Sequence, residues 1–129
     1  MLNVDLHCHS TISDGVLAPA ALAARAKANG VDIWALTDHD EVGGIAEARA
    51  AAAALGLGYV AGVEISVTWA GTTVHIVGLQ IDECNAELVI GLAATRNGRE
   101  QRAREIAAQL ALAGIPNAFE GALDRKSVV

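Results

Sequence analysis

All four histidines of this chain fall in three short clusters, each beside acidic or small residues at the end of a stretch that reads as β-strand. His7 and His9 stand in Asp5-Leu6-His7-Cys8-His9-Ser10, His39 in Thr37-Asp38-His39-Asp40, and His75 in Thr73-Val74-His75-Ile76-Val77. Between them lie Asp14, in Ser13-Asp14-Gly15, and Glu64, in Gly62-Val63-Glu64-Ile65-Ser66. Imidazole and carboxylate together suit borderline and hard divalent cations such as Zn, Mn and Fe. His7 and His9 have the spacing of two residues on one strand face, so both rings can reach one ion. Glu64 follows an apolar strand, where a lone buried carboxylate is costly and a role between two cations would remove the cost.

These residues need elements to present them. Val4 to Leu6 reads as a first strand, followed by a loop from Thr11 to Leu17. Pro19 suits the first turn of a helix through Ala28, which Asn29-Gly30 stops. Val31 to Leu36 is apolar apart from Asp32, as in a strand covered on both faces, and it delivers His39 at its C-terminal end. The Ala-rich run from Ile45 to Leu55 predicts helix, with Gly56 and Gly58 ending it. Tyr59 to Val63 predicts a third strand ending at Glu64. Ser66 to Trp69 and Thr72 to Leu79 alternate around Ala70-Gly71, the signal of a β-hairpin. Glu87 to Leu112 predicts a long helix with a possible break near Asn97-Gly98. Alternation of strand and helix defines an α/β fold with parallel strands, in which functional groups gather at the strands' C-terminal ends. His7, His9, His39 and Glu64 are expected at those ends.

Composition narrows the function classes. The chain has 129 residues, of which 53% are hydrophobic and 3% aromatic, enough for one aliphatic core. Fifteen acidic against nine basic residues argue against a broad nucleic-acid-binding face. Cys8 and Cys84 make no disulfide framework, and Cys8, between two same-face histidines, should point away from them. The N-terminus lacks signal-peptide features, and no stretch approaches the ~20 apolar residues of a membrane span. A cytoplasmic setting without membrane attachment is expected.

Several residues read two ways. Asp14 can be an ordinary turn aspartate or a ligand, and His75 a solvated strand residue or a ligand. One of Asp38 and Asp40 can orient the His39 ring, or Asp40 can open a helix. Thr95 to Arg104 holds four of the nine basic residues. Arg99 and Arg102 share a helical face and can clamp phosphate with planar donors, or lie on a solvated face paired with Glu100 and Glu105.

Taken in order, His-x-His with Ser-Asp-Gly, Thr-Asp-His-Asp, Gly-x-Glu-x-Ser and His-Ile-Val-Gly resemble the polymerase and histidinol phosphatase (PHP) family of metal-dependent phosphoesterases. The resemblance is strongest to its bacterial branch acting on 3′,5′-nucleoside bisphosphates, whose relatives trim short RNA from the 5′ end. It implies the N-terminal part of a distorted (β/α)7 barrel with a β-hairpin after the third strand. It also implies a cluster of divalent ions, Mn before Fe or Zn. His7, His9 and Glu64 would serve the first ion, Asp14 and His39 the second, and Glu64 with His75 the third. Asp14 and His75 would be the catalytic positions, and Asp14, His75, Arg99 and Arg102 would lie near the substrate phosphate. Paired cations would lower the pKa of water and offset charge at phosphorus, with arginines on the non-bridging oxygens.

One departure stands out. The family supplies three further ligands, a histidine and then an Asp-x-His pair, from a second half, and here no histidine follows His75. A closed barrel typically takes about 250 residues. Residues 1–123 are therefore expected to be a partial PHP domain, inactive by itself, and 124–129 a non-native tail. Asp124-Arg125-Lys126-Ser127-Val128-Val129 and a stop can be encoded by GATCGGAAGAGCGTCGTGTAG, which matches a widely used short-read sequencing adapter. The substrate expected is a small phosphorylated molecule, a nucleotide or short RNA 5′ end, with no stable protein partner. A non-catalytic structural or interaction module and a histidinol phosphate phosphatase are the competing readings.

Overall fold

The computed structural model describes the backbone of residues 1–128 and the side chains of residues 1–124. The chain divides into two compact units, Met1–Leu92 and Ala93–Val129. The first unit holds a four-stranded sheet in the order β1-β2-β3-β4, formed by β1 (Val4–Asp5), β2 (Ile33–Leu36), β3 (Gly58–Trp69) and β4 (Thr72–Leu79). β1 and β2 run parallel with Val4 opposite Ile33, and β2 and β3 run parallel from Ile33 opposite Gly58 to Leu36 opposite Ala61. Helices α1 (Pro19–Ala28) and α2 (Ile45–Leu55) make the two crossovers. This is the alternation expected of an α/β fold, the opening part of a (β/α) barrel.

Both helices match the predicted bounds, for visible reasons. Pro19 is buried at the start of α1, Arg25 and Lys27 occupy its last turn, and Gly30 follows with φ +79°. In α2, Gly56 adopts a left-handed conformation (φ +61°) and its N–H returns to the carbonyls of Ala52 and Ala53. Small residues do the packing: Ala23, Ala26, Ala48 and Ala52 are buried with Trp34, Leu36, Val31 and Leu57 in one core. Alanine faces let the helices lie close to the sheet, while Trp34, fully buried, fills the space that so many small side chains leave.

Two expectations about boundaries are corrected. β3 does not end at Glu64 but continues to Trp69, pairing antiparallel with β4 from Gly62 opposite Leu79 to Trp69 opposite Thr72. A strand can change partner without breaking, because it changes which edge it hydrogen-bonds along, not its own pleat. Ala70 (φ +49°) and Gly71 (φ +77°) close this hairpin with two left-handed residues, the tight turn whose twist suits adjoining strands. The possible break at Asn97-Gly98 is also absent, and α3 (Ala86–Leu112) is continuous. One interior glycine costs about 1 kcal/mol relative to alanine, and the surrounding Arg and Glu residues favour helix, with Arg104 bonded to Glu100 at 2.8 Å one turn apart.

Asn85 caps α3, its side-chain oxygen accepting from the Leu88 N–H at 2.9 Å. A helix not anticipated from the pattern, α4 (Ala118–Val128), follows Asn117, and the Arg104 guanidinium lies 4.1 Å from the Phe119 ring centre. The backbone of α4 passes through the start of the segment expected to be non-native. Val129 and the side chains of 125–129 lie outside the described residues. Among the described residues no helix is long and apolar enough to cross a membrane.

Candidate metal centre

The segment Thr37 to Asp40, leaving the C-terminal end of β2, organises the site. On one side Thr37 exchanges hydrogen bonds with Cys8, its N–H donating to the Cys8 carbonyl at 2.9 Å and the Cys8 N–H donating to its Oγ1 at 3.2 Å. On the other side the Glu64 N–H donates to the Asp38 carbonyl (3.1 Å) and the Asp40 N–H to the Glu64 carbonyl (2.9 Å). His39 and Glu64 are thereby bridged in parallel register beyond the end of β2. Glu64 sits mid-strand, but at the point where parallel pairing gives out, so it shares the end of the sheet with His7, His9 and His39.

Four imidazoles surround this one carboxylate. Glu64 Oε2 lies 2.9 Å from His7 Nε2, 3.0 Å from His9 Nε2 and 3.7 Å from His39 Nδ1, and Oε1 lies 3.3 Å from His75 Nδ1. His75 arrives from β4, opposite Ser66 in the register. Asp14 completes the group from the loop, 3.4 Å from His9 Nδ1 and 3.5 Å from His39 Nε2. Successive ring centres from His7 through His9 and His39 to His75 are 5.1, 4.5 and 4.8 Å apart. Exposure is graded: the Glu64 side chain is 8% exposed and that of Asp14 65%. Burial alone would raise the Glu64 pKa, but the His7 hydrogen bond and the nearby charges of His39, His7 and His9 hold it below the usual carboxylate range.

This arrangement asks for cations. Both ring nitrogens of His9 and of His39 face carboxylates, yet a neutral imidazole has one N–H to offer. Doubly protonating all four rings would crowd like charges within about 5 Å, where repulsion is strong. Nδ1 of His9 and of His39 are buried without a hydrogen-bond partner among the described residues. Three overlapping triads, His7-His9-Glu64, His9-Asp14-His39 and His39-Glu64-His75, each bring ligand atoms within 4.8 Å of one another. Divalent ions fit such a donor set. Cys8 stays out of it, accepting from Trp34 Nε1 at 2.8 Å, and burial pushes its thiol pKa up to about 11.

The six ligand candidates are thus brought together in the first unit, whereas Arg99 and Arg102 lie on the part of α3 in the second. There Arg104 pairs with Glu100, and Glu105 accepts from Gln101. Neither reading of Asp38 and Asp40 anticipated their partners. Asp38 accepts from the N–H and hydroxyl of Ser10 and the hydroxyl of Ser13, each at 2.7 Å. Asp40 (φ +50°) accepts from the Ser66 N–H at 2.7 Å and does not open α2, whose N-cap is Gly44. Ser10 and Ser66 flank the candidate ligands in the sequence, and that adjacency was the available signal. Gly15 is constrained as well: a Cβ there would lie 2.1 Å from the His9 carbonyl oxygen.

At one end of the sheet His7, His9, His39 and Glu64 meet His75 from within β4 and Asp14 from a loop, the donor set of a metal-binding α/β domain. Residues 5–120 match the PHP domain, and the chain belongs to that family. It is 51% identical over 123 residues to a 3′,5′-nucleoside bisphosphate phosphatase of Chromobacterium violaceum, covering 95% of this chain and 43% of the relative. A 5′-3′ exoribonuclease of Haemophilus influenzae is 51% identical over 118 residues, covering 92% and 43%. Among solved structures, an amidohydrolase from Chromobacterium violaceum with bound sulfate and no metal superposes with TM-score 0.86 at 51% identity, covering 95% of this chain and 43% of that one. A Bifidobacterium adolescentis protein assigned to the metal-dependent phosphoesterases gives 0.80 at 27% identity, covering 99% and 51%. The chain therefore spans less than half the length of the curated relatives it matches.

Proposed function

We propose that this chain carries the N-terminal ligand set of a metal-dependent phosphoesterase that hydrolyses phosphate monoesters of nucleotides. Nucleoside 3′,5′-bisphosphates, or the 5′ end of short RNA, are the preferred substrate class. The observation that carries the reading is the convergence of four imidazoles on Glu64, with two buried ring nitrogens left for a cation. The names of the relatives from Chromobacterium violaceum and Haemophilus influenzae support the substrate class.

His7, His9 and Glu64 would hold one ion, Asp14 and His39 with His9 a second, and His39, Glu64 and His75 a third. The family resemblance favours Mn, with Fe or Zn as alternatives, and imidazole with carboxylate accommodates all three. When bound, such ions supply Lewis acidity at water and at phosphorus. The chain's own contributions are distinct. Glu64, fixed by β3 and the His39 bridge, sets the spacing of the rings. Asp14 and His75, exposed together with His7, are proposed to meet substrate, Asp14 to accept a proton from the attacking water and His75 to orient a phosphoryl oxygen. Arg99 and Arg102 are proposed as phosphate-binding residues on the chemistry of the guanidinium. A cytoplasmic setting follows from this substrate class and agrees with the free thiols of Cys8 and Cys84.

The test is equilibrium dialysis of the 129-residue chain against Mn, with phosphate release from adenosine 3′,5′-bisphosphate and histidinol phosphate measured in the longer Chromobacterium violaceum relative. Mn binding lost in Glu64→Gln, and a preference of the relative for the bisphosphate, are the expected results. No Mn binding by the wild-type chain would overturn the metal reading, and a preference for histidinol phosphate the substrate reading.

A further inference from the structure

We infer that Asp38 is a positioning residue for the Asp14 side of the centre, acting through Ser10 and Ser13. The inference rests on the metal reading above. Asp38 is 1% exposed, and its carboxylate accepts three hydrogen bonds of 2.7 Å, from the Ser10 N–H, the Ser10 hydroxyl and the Ser13 hydroxyl. The short donor distances are those of charge-assisted bonds. They hold the two ends of one small turn. Ser10 directly follows His9, and Ser13 directly precedes Asp14.

The turn is closed further by the Ser13 and Gly15 N–H groups, which donate to the Ser10 carbonyl at 3.1 and 2.8 Å, and by the Ile12 N–H on the Ser10 hydroxyl at 3.2 Å. Asp38 itself directly precedes His39 and gives its carbonyl to the Glu64 N–H. One buried carboxylate therefore sets the distance between three groups that face one another, His9, Asp14 and His39. Asp14 most needs this. Its side chain is largely exposed, so no packing holds it, and an exposed ligand free to move contributes less to affinity than one held in place. The carboxylate also explains the identity of Ser10 and Ser13, since a donor of hydroxyl size is required at each.

Measuring Mn affinity in the 129-residue chain tests this through a double-mutant cycle. Ser13→Ala removes the 2.7 Å bond to Asp38 together with a longer 3.3 Å contact to Asp14. Asp38→Asn leaves that contact in place and opposes a new amide donor to three existing donors, so both variants are read in the cycle. Loss of a group supporting a ligand typically weakens metal binding about 10–100-fold, and a loss in that range is expected for Ser13→Ala, with the metal-free chain still folded though lower in melting temperature because buried Asp38 loses a donor. In an Asp14→Ala background, Ser13→Ala should add nothing, because the residue it positions is gone. Additive losses would overturn the inference, as would unchanged affinity in Ser13→Ala while Asp14→Ala binds weakly. If Asp38→Asn fails to fold, the Ser13 cycle still decides. A wild-type chain that binds no Mn, or an Asp14→Ala variant equal to wild type, would instead defeat the underlying assignment of Asp14 as a ligand.

Discussion

In β2, Trp34, Ala35 and Leu36 are all buried, whereas every residue of β4 except Gly78 is exposed. The two strands lie in one sheet, on either side of β3, and both supply the centre. The difference lies in what covers them. The parallel part has α1 and α2 packed over it, with a core of alanines around Trp34. β3 stays buried through Glu64, and beyond it the hairpin opens to solvent, with Val74, Ile76, Val77 and Leu79 exposed. The centre sits at the join. His9, His39 and Glu64 take their rigidity from the covered part, while His75 depends on the hairpin register and Asp14 on a loop. A candidate ligand set can thus be fixed at one edge and adjustable at the other.

The sharpest way to break this contrast is to remove a large side chain from each region. Trp34→Ala should destabilise by about 3–5 kcal/mol, as large buried aromatics do, while Trp69→Ala, exposed at the hairpin tip, should stay within about 0.5 kcal/mol. Urea denaturation with a far-UV signal measures both, and similar midpoints would abolish the distinction. For the metal, Glu64→Gln should cost more Mn affinity than Asp14→Asn, exceeding the about 10–100-fold loss typical of a supporting group, because every ring in the centre faces Glu64. Isothermal titration reading equal losses would remove Glu64 from its shared role.

Two glycines make a finer comparison. Gly15→Ala forces a Cβ against the His9 carbonyl and should both lower the melting temperature and weaken Mn binding. Gly98→Ala, with open space around it on α3, should stabilise by up to about 1 kcal/mol. The thiols differ too. Iodoacetamide at about pH 8 should label exposed Cys84 faster than Cys8, whose half-buried thiol keeps its proton up to about pH 11. Because an unfolded thiol ionises near 9.0, Cys8 should make the fold less stable as pH rises from there towards 11. Peptide mapping showing Cys8 labelled as fast as Cys84 would contradict its burial. The smallest effect is at the hairpin turn, where Ala70→Gly relieves a left-handed alanine and should gain about 1 kcal/mol at most.

Local chemistry made much of this molecule legible in the chain itself. Pro19 and Asn29-Gly30 bound α1, Gly56 ends α2, and Ala70-Gly71 marks the hairpin, because each acts through its own backbone preferences. The six candidate ligands were legible because imidazole and carboxylate at strand ends are rarely spent without purpose. Tertiary structure alone decided the rest. β3 runs through Glu64 because a new partner, β4, takes over where β2 stops, and no residue in Glu64-Ile65-Ser66 announces a change of neighbour. Asp38 reaches Ser10 and Ser13, and Asp40 reaches Ser66, across 25 to 28 positions. A buried carboxylate takes whichever donors the fold brings within reach, and those donors are set by strand order and loop closure, which sequence separation does not encode.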